Sequence, residues 1–179
     1  MAKSDSFFIR GKVSTNGTTY TQEEIDLGSF VNLGVAKSTL LRIHNISVQV
    51  AGKSSITQTI SDGSAFAMLH QLTTQSQSAM VYATDKSLVA SGSLRAYNAP
   101  TSEDGSAAAD YTTGFITQHF DIAPQDFTNG YLVGVDSLFL GCDLSSAVTD
   151  MSICYVMECT LENATQANSV ALALSPKRS

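Results

Sequence analysis

Three histidines, His44, His70 and His119, are the side chains of this sequence best suited to metal or proton-transfer chemistry. A metal site needs two or more of them to converge with carboxylates or thiolates, commonly through His-x-His or His-Glu-x-x-His spacing. Neither spacing occurs, and each histidine falls in a different strand candidate. The sequence therefore predicts half-exposed strand histidines and no metal, with His70 and His119 as the one pair that separate strands could bring together. The adjacent acids Glu23-Glu24 and Glu103-Asp104 lie in polar stretches that read as solvated loops, which leaves a glycosidase pair unsupported. Gly134-Val135-Asp136-Ser137-Leu138 superficially resembles a serine-hydrolase motif but lacks the Gly-x-Ser-x-Gly elbow. No Gly-rich phosphate loop is present. The expectation is a protein that is not an enzyme and carries no cofactor, with no catalytic residue assigned.

The elements that would position these residues read as strands. Met151, Ile153, Tyr155, Met157, Cys159 and Leu161 recur at every second position, the period of a half-buried β-strand. The same rhythm predicts strands over 7–13, 25–32, 39–51, 65–72, 79–83, 88–97, 115–122 and 131–141. Asn16-Gly17 supplies a tight turn after the first. Within 39–51 the phase shifts, since Leu41 and Ile43 share one face and Ile46, Val48 and Val50 the opposite parity. A β-bulge near His44 and Asn45 restores all five to one core. The segment from Ser64 to Leu72 would also suit a helix, 98–111 reads as a long exposed loop, and Asn163 could cap a short terminal helix.

Eight or nine strands separated by long loops favour an all-β, antiparallel Greek-key sandwich, with a single jelly roll as the commonest eight-strand solution. At 179 residues the chain suits one domain, with a tail at 1–6 and a tail or short helix at 162–179. Cys142, Cys154 and Cys159 form no Cys-x-x-Cys pair. An odd step separates Cys154 from Cys159 on one strand, so they face opposite sides, and buried free thiols are expected. The N-terminus lacks the apolar run of a signal peptide, and no stretch approaches the ~20 apolar residues of a membrane span. Synthesis in a cytosol is the expectation.

The net charge of −6 disfavours bare nucleic acid as a bulk-surface partner, because phosphate contacts need clustered Lys and Arg. Residues 1–53 carry six basic against four acidic side chains, a balance of +2, which leaves −8 for the remainder. If the termini converge, Lys3, Arg10, Lys12, Lys177 and Arg178 would form a candidate inward-facing basic patch. The six tyrosines are scattered and tryptophan is absent, so the stacked platform of a carbohydrate module is not evident. Nucleic-acid sheet readers interleave aromatic and basic residues, a pattern missing here.

Residues 7–161, with their short alternating strands, Ser/Thr/Ala-rich turns and no catalytic set, resemble the single jelly-roll capsid proteins of icosahedral viruses. The resemblance is architectural and rests on no diagnostic motif. It implies a self-assembling coat subunit, present in many copies in a virion and made in the host cytoplasm. Many such proteins carry a strongly basic N-terminal arm, whereas only Lys3 precedes the first strand here. That departure implies weak or absent direct nucleic-acid binding and a shell lined by an internal membrane or a second virion protein. A phage tail tube would share these features. The alternative from another class is a β-sandwich module that binds a ligand or carbohydrate.

Overall fold

Alternation along the chain is converted into two layers of antiparallel strands. The structure is a computed structural model that describes residues 5–32, 38–52, 65–98, 114–145 and 151–164. The described strands are β1 (Phe7–Ser14), β2 (Thr21–Asp26), β3 (Thr39–Gly52), β4 (Ala65–Thr73), β5 (Leu88–Asn98), β6 (Gly114–Ile122), β7 (Tyr131–Val133), β8 (Ser137–Leu144) and β9 (Met151–Asn163). One 3-10 turn, Pro124–Asp126, is the helical element among the described residues. The first sheet has the order β1-β9-β3-β7 and the second β2-β8-β4-β5-β6. The protein is an all-β sandwich.

The pairing is nested. β1 pairs with β9, β2 with β8 and β3 with β7, while β4, β5 and β6 pair in succession at the closed end. From β1 to β4, and again from β6 to β9, each connection carries the chain to the other sheet. Odd-numbered residues of β9 face inward: Ile153, Tyr155, Met157 and Cys159 have no exposed surface. They meet Met68, Leu72, Leu138 and Leu140 of the second sheet in one core. The expected bulge is present, with the register of β3 against β9 shifting between Ile43 and Asn45. Ile43 and Ile46 are both buried as a result, and Val48 and Val50 pack against the same core.

Three strand expectations are corrected. The strand expected over 25–32 instead runs from Thr21 and stops at Asp26, whose carboxylate accepts the Gly28 N–H at 2.7 Å. The chain then turns, with the Phe30 and Val31 N–H groups both donating to the Leu27 carbonyl. The strand expected over 131–141 is two strands in different sheets, separated at 134–136, where the Asp136 carbonyl accepts the Leu27 N–H at 2.7 Å. Residues 79–83 form no strand, because a side chain from β4 takes up their backbone groups, as detailed below. The ambiguous segment at Ser64 to Leu72 resolves as strand β4 from Ala65. The loop expected over 98–111 starts later, since Asn98 closes β5, and β9 runs through Glu162 and Asn163 of the expected 162–179 tail; residues 99–111 and 165–179 lie outside the described residues.

The far end of the first sheet is fastened by charge. The Arg42 guanidinium donates to both Glu162 carboxylate oxygens, from Nε at 2.5 Å and from Nη2 at 2.8 Å, and its Nη1 donates to the Asn129 carbonyl at 2.7 Å. A planar fork on a carboxylate suits arginine and not lysine. The hydrogen bonds to the Glu162 carboxylate raise the Arg42 pKa further, so the guanidinium keeps its charge.

Candidate functional site

His70 stands on β4 between Met68 and Leu72, both fully buried, and strand parity turns all three into the core. Its Nδ1 lies 2.5 Å from the hydroxyl of Tyr155 on β9, a hydrogen bond that joins the two sheets across the interior. Phe120 on β6 packs edge-on against both rings, with centroids 5.5 Å from His70 and 5.8 Å from Tyr155. Burial pushes the Tyr155 hydroxyl well above its ordinary pKa, so it keeps its proton. Nδ1 is the acceptor within reach, which places the imidazole proton on Nε2. Nε2 is buried and has no hydrogen-bond partner. It faces Gly92 of β5: a Cβ there would sit 2.9 Å from Nε2 and 2.5 Å from both His70 Cε1 and the His119 carbonyl oxygen. Only a residue without a side chain leaves the imidazole this room. Burial drives the His70 pKa down to about 4, with Asp121 pulling it back up and His119 pushing it further down.

The expectation of half-exposed histidines is therefore corrected for His70, which has no exposed surface. The signal was its alternation with Met68 and Leu72. His119 is about half exposed on the outer face of the second sheet, and His44 is partly buried with its Nε2 2.8 Å from Thr160 Oγ1. Gly92 lies between the His70 imidazole and the His119 backbone carbonyl, and the two imidazoles point to opposite faces of the sheet, so they do not converge on one site. Among the described residues, no group of three or more His, Cys, Asp or Glu side chains could hold a metal.

Ser93, His119 and Asp121 form a constellation that sequence spacing did not reveal. His119 Nε2 lies 3.3 Å from Ser93 Oγ and 3.2 Å from Asp121 Oδ1. In a catalytic relay the carboxylate holds one imidazole nitrogen and the hydroxyl the other. Here one nitrogen serves both, so the carboxylate cannot orient the ring for proton transfer from the serine. The cluster is a polar surface contact. Ser137, from the hydrolase-like pentapeptide, donates its hydroxyl to Glu24 at 2.5 Å and has no histidine partner.

The outer face of the second sheet is partly covered by the 74–87 connection. Gln71, next to His70 on β4, points outward and is nevertheless fully buried. Its Nε2 donates to the Tyr20 hydroxyl at 2.9 Å and to the Ala79 carbonyl at 3.0 Å, and its Oε1 accepts the Val81 N–H at 2.8 Å. These bonds use the backbone groups that a strand at 79–83 would need. Gln22 of β2 adds a second fastening by accepting the Gln77 N–H at 2.9 Å. The Tyr20 ring lies over Gly141 of β8, where any Cβ would collide with it.

The three thiols are free, with Cys142 and Cys159 buried and Cys154 half-buried on the opposite face of β9 from Cys159, as parity predicts. Of the candidate basic patch, Arg10 and Lys12 are exposed on the outer face of β1, the edge of the first sheet. Arg10 lies 5.9 Å above the ring of Phe8, itself 55 % exposed. Lys3, Lys177 and Arg178 lie outside the described residues, as does any convergence of the termini. No helix among the described residues is long and apolar enough to cross a membrane.

No protein-family model matches the chain, and no curated protein matches it.

Proposed function

We propose that the protein is a self-assembling structural subunit, a coat protein of a virion built on a single jelly roll. The observation that carries this reading is the nested pairing: first strand with last, second with second-last, third with third-last, in two sheets of order β1-β9-β3-β7 and β2-β8-β4-β5. A long hairpin rolled over itself gives this order, and a jelly roll is such a rolled hairpin. β6 is an added strand on the edge beside β5. A fold does not dictate a function, and the surface supplies the second argument. Between the charged Arg10, Lys12 and Glu158, the outer face of the first sheet presents Ser14, Ser47, Gln49 and Val156, uncharged side chains that bury against another subunit at modest desolvation cost. The partners on this reading are many further copies of the chain, with a second virion protein or an anionic membrane inside the shell and little direct contact with nucleic acid.

Electron microscopy and sedimentation of the purified protein test the proposal. Closed shells, rings or tubes of many copies are expected. A species that stays monomeric across the accessible concentration range and binds an oligosaccharide array would replace it with the ligand-binding reading.

A further inference from the structure

Two strands that are sheet edges among the described residues lie at one side of the sandwich and carry opposite charge. β1 is the outer strand of the first sheet and β2 the outer strand of the second. They run side by side, since Thr21 Oγ1 donates to the Ser14 carbonyl at 2.8 Å and Gly11 abuts the Ile25 side chain. Ser14 thus lies near the level of Thr21 and Gly11 near that of Ile25, which makes the two strands antiparallel; since both turn their even-numbered residues outward, Ser14 comes to the height of Gln22, Lys12 to that of Glu24 and Arg10 to that of Asp26. β1 exposes Arg10 and Lys12 on the outer face of its sheet, whereas β2 exposes Glu24 and Asp26 on the outer face of the other. Among the described residues, no carboxylate pairs with Arg10 or Lys12.

We propose that this side of the sandwich is a subunit contact in which β1 of one copy adds to β2 of a second copy about a two-fold axis parallel to the strands. The inference rests on the self-assembling reading and names its contact. Such an axis turns one copy over, so the first sheet of each molecule continues into the second sheet of the other and their outer faces become one surface. An axis along the strands leaves every residue at its own height, which fixes the register. Arg10 then lies beside Asp26 of the second copy, Lys12 beside Glu24 and Ser14 beside Gln22, twice per dimer. Opposite charges directly across a strand pair attract, and like charges repel. Joining β1 to β1 would set Arg10 and Lys12 against themselves, and joining β2 to β2 would do the same to Glu24 and Asp26. The charges permit the mixed pairing and oppose the other two. An edge strand also presents alternate unpaired N–H and C=O groups that a partner strand satisfies. The contact is isologous, as expected of a two-fold pair.

Reciprocal charge reversal tests the contact. Lys12→Glu and Glu24→Lys, each measured by sedimentation at low ionic strength, are expected to weaken association on the order of tenfold, because each breaks two symmetric pairs. The double variant Lys12→Glu/Glu24→Lys restores the pairs with their signs exchanged and is expected to recover wild-type association. Arg10→Glu with Asp26→Lys provides an independent second set. All four side chains are exposed, but Glu24 accepts the Ser137 hydroxyl and Asp26 the Gly28 N–H. Lys12→Glu and Arg10→Glu, whose melting temperatures are expected to stay close to wild type, therefore serve as the folding control, and the Glu24 and Asp26 variants are compared below their own unfolding transitions. If wild type assembles but the single reversals leave association unchanged, or the double variants are no better than the singles, this contact is wrong and the self-assembling reading stands. If wild type never associates, both fall.

Discussion

His70 and Gln71 are neighbours on one strand, both fully buried, and they show two opposite ways to bury a polar side chain. Gln71 points outward beneath a connection that supplies two hydrogen bonds to its amide, with the Tyr20 hydroxyl supplying a third. His70 points inward, makes one hydrogen bond to Tyr155, and keeps an unpartnered Nε2. A satisfied buried amide adds order because every bond it makes fixes a piece of backbone. An unsatisfied imidazole costs desolvation free energy and tolerates a second proton badly. The outer polar cluster therefore holds a loop in place, whereas the inner one ties stability to pH.

Acid should break the comparison most strongly. His70 titrates near 6.5 when unfolded and near 4 when folded, so the unfolded chain binds more protons between those values. Stability then falls as pH drops from about 6.5 to about 4, and His70 contributes no further loss below that. A shift of this size corresponds to about 3 kcal/mol. Denaturant unfolding across pH 4 to 7 of wild type and His70→Phe should show the window in the first and its loss in the second. Equal pH slopes in both proteins would assign the acid sensitivity elsewhere.

The second expectation concerns the outer cluster. Gln71→Ala removes three bonds, but the freed Ala79 and Val81 backbone groups can turn to water once the connection lifts. The expected cost is about 2 kcal/mol, less than the sum of three buried bonds, and independent of pH. Hydrogen exchange should find the Val81 amide deprotected while the amides of β9 stay as slow as in wild type. Loss of protection throughout the sandwich would mean that the connection is part of the cooperative core.

The same neighbours show what a sequence reveals. The strand period of β9 and the phase shift in β3 are local, and both were legible because each depends only on which side chains alternate. His70 was legible by the same rule, from Met68 and Leu72 on either side, but its half-exposed character was assumed from residue type. The connection over residues 79–83 was not legible. Ala79-Met80-Val81-Tyr82-Ala83 has strand composition, and what prevents a strand is a glutamine eight or more residues earlier that bonds its backbone. The split of 131–141 is similar, since the Leu27 N–H that holds Asp136 is more than a hundred residues away. The charged edges were visible only as a basic first third of the chain. That β1 and β2 lie at one side of the sandwich, with their charges on opposite outer faces, follows from sheet order.

The smallest expected effect sharpens the comparison furthest, because it separates the hydrogen bond of His70 from its burial. Tyr155→Phe keeps the ring against Phe120 and His70 and removes only the hydroxyl, so at pH 7 the expected cost is about 1 kcal/mol, the net worth of one buried bond. The hydroxyl donates to Nδ1, which favours the neutral imidazole. A proton arriving on Nδ1 must displace that donor, and among the described residues the hydroxyl makes no other hydrogen bond. Without it the folded-state pKa of His70 rises toward its ordinary value, the gap between folded and unfolded titration narrows, and less stability is lost on acidification. The variant should therefore be weaker than wild type at pH 7 and closer to it, or equal, at pH 4. A deficit of the same size at both pH values would show that the bond only joins the two sheets, and that burial alone sets the acid sensitivity of the core.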